Sequence, residues 1–165
     1  VSLSGVADSG SLRIAVGRNS SSQGMLIANS GSGWAQPGTP ASNWVPRDVI
    51  WTGSLWVVVG ADSVNFGANA VVMYSSDGSA WTRVDLPTDA TPAGYSLRDI
   101  TWTGSQFVAV GDNAQSSRVI VTSPDAATWT QAFLGSVSGN GVLESVASGG
   151  GIVVAIGGNG TVTSP

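Results

Sequence analysis

Short apolar runs alternate with small polar stretches along the whole chain. The runs are four to seven residues long and rich in Val, Ile, Thr and Trp, while Gly, Ser, Asn and Pro separate them. This pattern is typical of short antiparallel strands, because β-branched and aromatic side chains suit a pleated, half-buried surface and the small polar residues suit turns. No stretch repeats its apolar residues with a helical period. The pattern therefore predicts an all-β chain.

One strand pattern occurs four times. The segment Arg-Asp-Val-Ile-Trp-Thr-Gly-Ser that begins at Arg47 returns at Arg98 with six of its eight residues unchanged. Each copy leads into an apolar strand that ends in glycine, and the same kind of strand occurs near both ends of the sequence. Alignment on these glycines brings four β-branched residues to one position, which predicts a buried face shared by all copies. These residues are Val6, Val49, Ile100 and Val146.

Several short strands in a repeat of about 45 residues are typical of the blade of a β-propeller. We therefore predict an all-β fold of propeller-type repeats in a single domain, 1–165, with about four blades at 1–45, 46–95, 96–141 and 142–165. A β-sandwich and a stacked solenoid are the competing architectures. The last blade is expected to lack its fourth strand. The chain would then be a piece of a longer propeller, an imperfectly closed small ring, or a blade completed by a partner.

In the first three copies a third apolar run ends in a turn and a tryptophan. The segments Ser75-Ser-Asp-Gly-Ser-Ala-Trp81 and Ser123-Pro-Asp-Ala-Ala-Thr-Trp129 resemble the Asp-box of bacterial neuraminidase-type repeats, found in sialidase-like propellers of bacteria and phages. The first copy departs from this motif with Ser30 at the aspartate position, and the third has Ala126 in place of glycine. The motif is short, although the resemblance covers nearly the whole chain.

The resemblance implies that this box is a structural turn between the third and fourth strands of a blade. Physical chemistry agrees, because an aspartate can accept backbone N–H bonds within its own turn while the tryptophan covers the blade edge. We therefore predict structural rather than catalytic roles for the two aspartates and three tryptophans of these turns: Asp77, Asp125, Trp34, Trp81 and Trp129.

The composition excludes several classes of catalytic and metal-binding site. Lys, His and Cys are absent, and six arginines face nine aspartates and one glutamate, for a net charge of −4. Nucleophilic triads built on His or Cys, lysine Schiff bases and the usual zinc ligands are therefore excluded. A weakly acidic chain is a poor nucleic-acid binder, and no apolar run reaches the length of a membrane span. We expect no cofactor and no metal site.

The Arg-Asp pairs at 47–48 and 98–99 are candidates for substrate recognition. The resemblance to sialidases implies arginines that hold a substrate carboxylate, together with a Tyr and Glu nucleophile pair and an aspartic acid. Here only two arginines converge, since Ser4 and Glu144 occupy the matching positions of the other copies, and the chain has a single glutamate. We therefore predict that these arginines tie neighbouring blades together, with a sialidase-like glycoside hydrolase as a distant alternative.

The loops between second and third strands and between blades vary in length on one face of the predicted propeller. Length variation over a constant scaffold is how binding surfaces are usually built. Aromatic, carboxylate and amide side chains on these loops would suit a ligand or partner, or the aromatics pack under their own loops as local cores. The candidate binding residues are Trp44, Asp62, Phe66, Tyr95, Asp112 and Asn113.

The sequence thus predicts a non-enzymatic propeller module with a structural or interaction role in an extracellular or virion assembly, such as a phage tail or decoration. A protein partner or a second copy is expected to complete the last blade. The alternative function is a carbohydrate-binding module that uses the variable-loop face. The extracellular or virion setting rests on composition, because a Ser-, Gly- and Thr-rich chain without Lys or Cys suits proteins exposed to the medium.

Overall fold

The computed structural model describes residues 1–37, 43–62, 69–86, 95–113, 117–132, 141–158 and 160–164. Within these ranges the chain forms 15 strands and no helix, arranged as four antiparallel sheets. Strand order within each sheet follows the sequence, as in the blade of a propeller. The predicted all-β, propeller-type fold is confirmed.

One sheet corresponds to each repeat. Sheet 1 contains β1 (Ser2–Asp8), β2 (Arg13–Arg18), β3 (Gly24–Asn29) and β4 (Trp34–Ala35). Sheet 2 contains β5 (Trp44–Trp51), β6 (Trp56–Asp62), β7 (Ala70–Ser75) and β8 (Thr82–Asp85). Sheet 3 contains β9 (Tyr95–Trp102), β10 (Phe107–Asn113), β11 (Arg118–Ser123) and β12 (Thr130–Gln131). Sheet 4 contains β13 (Leu143–Gly149), β14 (Ile152–Gly157) and β15 (Gly160–Ser164).

The last sheet is shorter by one strand, as the repeat pattern predicts. The strand β15 pairs along one edge with β14. No strand in the described part of the chain pairs with its other edge.

The strand-ending glycines permit an irregularity that all four sheets share. The register between first and second strands shifts where the first strand meets this glycine, so that one extra residue bulges from the first strand. A Cβ on Gly60 would overlap the Val45 carbonyl oxygen, and one on Gly111 would overlap that of Ser96. The bulged residues are Ser4, Arg47, Arg98 and Glu144.

The core is divided into three clusters, each between two consecutive sheets. Successive residues of a strand point to opposite faces of its sheet. In β6, Val58 therefore packs towards sheet 1, while Val57 and Val59 pack towards sheet 3. We call the face directed towards the preceding sheet the leading face and the face directed towards the following sheet the trailing face. Every internal interface joins one trailing face to one leading face.

The sheets form an open row. Each packs on the next, and no extensive interface joins the described residues of sheets 1 and 4. Large apolar side chains are consequently exposed on these two sheets, whereas the equivalents of Leu3, Val6 and Ile156 in the middle of the row are buried. The exposed residues are Val1, Leu3, Val6, Trp34, Ile152 and Ile156.

Candidate functional site

Charged side chains from three sheets meet near the bulges of the first strands. Arg98 donates to Asp112 of its own sheet at 2.9 Å and to Glu144 of sheet 4 at 3.0 Å. The bulge places Arg98 and Glu144 at equivalent positions of neighbouring strands, which brings their side chains together. This ion pair joins two sheets, as predicted for Arg98.

Arg47 occupies the equivalent bulge of sheet 2 but differs from Arg98. Burial lowers the pKa of its guanidinium, and the positive charges of Arg18 and Arg98 lower it further. Its Nε is buried without a hydrogen-bond partner, and none of the ion pairs among the described residues involves Arg47. The prediction that both arginines tie neighbouring blades by ion pairs or hydrogen bonds is therefore confirmed, among the described residues, for Arg98 alone.

The residue after each of these arginines is an aspartate that links consecutive sheets. Asp99 accepts hydrogen bonds from Ser145 Oγ at 2.6 Å and from the Val146 N–H at 2.7 Å, both in sheet 4. It also accepts from the Ile100 N–H at 2.9 Å. Asp48 of sheet 2 accepts from the same N–H at 3.4 Å. The two carboxylates thus link sheets 2, 3 and 4 by accepting hydrogen bonds from backbone N–H and hydroxyl groups.

Asp48 and Asp99 are also hydrogen-bonded to each other, which requires a proton between them. Burial raises the pKa of Asp48 to about 7, with further increases from the hydrogen bond to Asp99 and from its negative charge. Asp99 accepts three other hydrogen bonds, and burial favours the protonated form of Asp48 within this pair.

This carboxyl pair lies in a closed position. A Cβ on Gly5 of sheet 1 would come within 2.7 Å of Asp48 Oδ1 and within 2.8 Å of its Cα, so the backbone of sheet 1 packs directly on this residue. A glycosidase needs two carboxyl groups on either side of a substrate pocket. Here the two groups contact each other between packed strands, so their arrangement suits a structural link between sheets.

Trp44 requires a correction to the predicted loop-face site. It is the first residue of β5 rather than a loop residue, and its side chain is 2% exposed within the core between sheets 1 and 2. Trp44 pairs with Asp62 at the end of β6, and this pairing extends β5 back to Trp44. Trp44 therefore offers no free ring face for a ligand, and its role as a stacking platform is wrong.

The remaining loop-face candidates do not form one cluster of free side chains. Asp62 pairs with Arg83 at 3.3 Å and Asp112 with Arg98, so both carboxylates belong to ion pairs within their own sheets. Asn113 accepts a hydrogen bond from the Ser117 N–H at 2.9 Å, as a turn-forming residue does. Tyr95 begins β9 opposite Asn113. Phe66 lies outside the described residues.

Two aspartate turns, which we define as Ser75–Trp81 and Ser123–Trp129, have nearly the same internal bonds. Asp77 accepts from the N–H groups of Ser79 and Ala80 at 2.8 and 2.9 Å. Asp125 accepts from Ala127 and Thr128 at 2.9 and 2.7 Å. These backbone donors lower the pKa of both carboxyl groups. Each aspartate is thus satisfied within its own turn.

The tryptophan of each aspartate turn closes it and seals an interface. Trp81 Nε1 donates to the Gly78 carbonyl at 3.2 Å, and Trp129 Nε1 donates to the Ala126 carbonyl at 2.8 Å. Trp129 is buried with Phe107 between sheets 2 and 3, and Trp81 packs against the cluster between sheets 1 and 2. In both cases the ring covers the leading face of its sheet.

The corresponding turn of sheet 1 is one residue shorter than the two aspartate turns. In the strand ladders Asn29 is equivalent to Ser75, and Trp34 follows Asn29 by five positions whereas Trp81 follows Ser75 by six. This shorter turn has no aspartate, and Asn29 accepts from the Gly31 N–H at 2.7 Å instead. Trp34 is 48% exposed, because no preceding sheet lies against it. The prediction that Trp34 covers a packed blade edge is therefore wrong in the described chain.

A polar groove of about 540 Å³ separates the first hairpins of sheets 3 and 4. It lies at the opposite end of the strands from the variable loops. Trp102 forms part of its wall, with its ring 4.4 Å from that of Phe107. Hydroxyl, amide and backbone groups line the remainder, including Thr103, Ser105, Gln106 and Ser148 with Gly149–Gly151. No sequence pattern indicates this groove, because it forms only where the first hairpins of two sheets lie side by side.

Comparison with known proteins supports the fold. No family model matches the chain, and no curated protein matches it. Among solved structures, the GH74 xyloglucanase from Xanthomonas campestris matches with a TM-score of 0.68 and 12% sequence identity. The match covers 93% of this chain but 25% of the xyloglucanase chain. At this identity the likeness shows a propeller-like fold alone.

The described residues contain no group of three or more acidic side chains arranged to hold a metal ion. Within the same ranges, no helix has the length and apolar character needed to cross a membrane.

Proposed function

We propose that the chain is a non-enzymatic propeller module with a structural or interaction role in an extracellular or virion assembly. The observation that supports it most is the exposure of packing faces at both ends of the row. Val6 is 67% exposed and Ile156 51% exposed, although both belong to positions that are buried in the middle sheets. Exposed apolar patches of this kind mark surfaces that bind other proteins.

The charged residues support the same function. The Asp48–Asp99 pair and the Arg98–Glu144 ion pair link consecutive sheets, and the turn aspartates bond to their own backbone. Catalysis requires acid and base groups that can reach a substrate. These carboxylates instead stabilise the row and leave its ends as the surfaces for interaction. The lysine- and cysteine-free composition supports the proposed extracellular or virion setting.

An assay for hydrolysis tests the non-enzymatic part of this proposal. The purified chain is incubated with xyloglucan, other polysaccharides and sialylated glycans, and released sugar is measured. We expect no release above a buffer blank. Release by the chain would contradict the proposal, and its loss in Asp99→Asn would assign the reaction to the carboxyl pair.

Carbohydrate binding is the second candidate, in line with the resemblance to sialidase-like propellers. The groove between the first hairpins of sheets 3 and 4 favours it, because its hydroxyl and amide groups suit hydrogen bonds to a sugar ring. Isothermal titration with xyloglucan oligosaccharides and sialylated glycans measures binding. If the groove is the site, Ser105→Trp abolishes binding by filling it, whereas Ser54→Trp on the equivalent turn of sheet 2 leaves binding unchanged.

A further inference from the structure

Among the described residues, no sheet packs on the leading face of sheet 1. Leu3 is equivalent to Leu97 and Leu143 by strand register, and both of these are fully buried against a preceding sheet. Leu3 itself is 51% exposed. Val6 and Trp34 repeat this contrast with Val49 and Trp129. The same three positions that seal an internal interface therefore form an uncovered apolar surface at the start of the row.

In the ranges that the structure describes, no sheet packs on the trailing face of sheet 4 either. Ile156 matches Val59 and Val110, which are fully buried against a following sheet. Ile152 matches Leu55, which packs against the cluster between sheets 2 and 3, but Ile152 is 49% exposed. Here the row ends with the kind of face that elsewhere receives a leading face.

The two open surfaces are therefore the two halves of one interface type. Three internal interfaces show what covers a trailing face, namely the leading face of another such sheet. We propose that two copies of this chain associate head to tail. The trailing face of sheet 4 in each copy packs on the leading face of sheet 1 in the other. This inference rests on the proposed interaction role and names the partner.

Two such contacts close a ring of eight sheets. Contacts between unlike faces form a closed ring when the rotation between copies permits closure, and propellers typically have about four to eight blades. The new interface differs in one respect from the interfaces that follow sheets 2 and 3. Sheet 4 has Ser145 where sheets 2 and 3 have Asp48 and Asp99, so the contact is mainly apolar and lacks the carboxylate links. We therefore expect association that depends on concentration.

Light scattering over a range of concentrations, combined with two single variants, tests the proposal. The wild-type chain should approach twice its 16.5 kDa mass as concentration rises. Val6→Asp and Ile156→Asp should each remain monomeric, because each variant lacks one face of every contact. Mixed together, the two variants should associate again, since the intact trailing face of the first fits the intact leading face of the second. Ser54→Asp, on an exposed turn of sheet 2, is the control and should associate like wild type.

A monomeric wild type at all concentrations would overturn the proposal, and so would a dimer that only one of the two variants disrupts. The latter result would indicate contact between two like faces. Circular dichroism of each variant shows that the sheets still form, which is expected because both side chains are exposed. The hydrolysis assay is a separate measurement: sugar release would overturn the proposed function whatever the mass, and a monomer without hydrolysis would overturn only the ring.

Discussion

Leu97 and Leu3 occupy the same place in two copies of one repeat, yet the first is fully buried and the second is half exposed. Their own sheets have the same strand order and the same bulge. The difference arises from the neighbouring sheet: one packs before Leu97, whereas none packs before Leu3 in the described part of the chain. Burial in this fold is therefore a property of the interface between sheets. Equivalent substitutions should consequently cost more stability in the middle of the row than at its ends.

The largest difference is expected for the turn tryptophans. Trp129→Ala should lower the free energy of unfolding by about 3 to 5 kcal/mol, because it removes a buried ring and leaves a cavity between sheets 2 and 3. Trp34→Ala in the exposed turn of sheet 1 should cost less than about 1 kcal/mol in the monomer. Urea unfolding at low protein concentration measures both. Equal losses would contradict the idea that Trp34 lacks a packing partner.

The leucine position provides a second comparison with a smaller side chain. Leu97→Ala should cost about 2 to 4 kcal/mol, whereas Leu3→Ala should change monomer stability by less than about 0.5 kcal/mol. At high protein concentration Leu3→Ala should lower stability more than it does in the monomer, because the head-to-tail contact would then bury this side chain. A stability loss for Leu3→Ala that does not depend on concentration would show that the leading face of sheet 1 is already covered within one chain.

The half-buried carboxyl pair joins sheets 2 and 3 in the middle of the row and should make that part sensitive to pH. The pKa of Asp48 is raised from 3.8 to about 7 on folding, so the folded chain binds the additional proton between these values. Its contribution to stability is present below the unfolded pKa and is lost as pH rises through 7. We expect a decrease of about 3 kcal/mol between pH 4.5 and pH 8.

Chemical unfolding across this pH range measures the effect. Asp48→Asn should remove most of the decrease, since an amide donates to Asp99 without titrating. The exposed Asp8→Asn is the control and should retain the decrease. The turn aspartates do not interfere, because their lowered pKa values place their loss of stability below this range. A flat profile for the wild type would contradict a shared proton.

The smallest effects are expected where the two aspartate turns differ. Gly78 has a φ of 73°, and a Cβ there would come within 2.5 Å of Leu12 Cδ2, so Gly78→Ala should cost about 1 to 3 kcal/mol. Ala126 already adopts a φ of 63° with its methyl group buried. Ala126→Gly should therefore change stability by less than about 1 kcal/mol, since relief of backbone strain offsets lost packing. Thermal melts compare the pair, and a large loss for Ala126→Gly would show that the methyl contact dominates.

Much of the fold could be predicted from the sequence because the four copies of the repeat can be aligned on equivalent residues. The strand-ending glycines and the aligned valines identify the four sheets and the incomplete last one. Trp44 was misplaced because nothing in the composition of its segment separates a strand start from a loop. Trp34 was misjudged because its burial depends on a preceding sheet, which the sequence of its own segment does not indicate. The paired carboxyls Asp48 and Asp99 could not be recognised either, since their contact depends on how two sheets pack.

The pairing of one leading and one trailing face on every sheet has a consequence for how such chains change in evolution. Because neighbouring sheets meet through the same positions each time, duplication of a single repeat adds a unit that fits both its neighbours without new complementary surfaces. When a repeat is lost, the trailing face of the sheet before it can pack on the leading face of the sheet after it. The number of sheets in a row of this kind can therefore change by whole units, while the sequence within each unit stays under the same constraints.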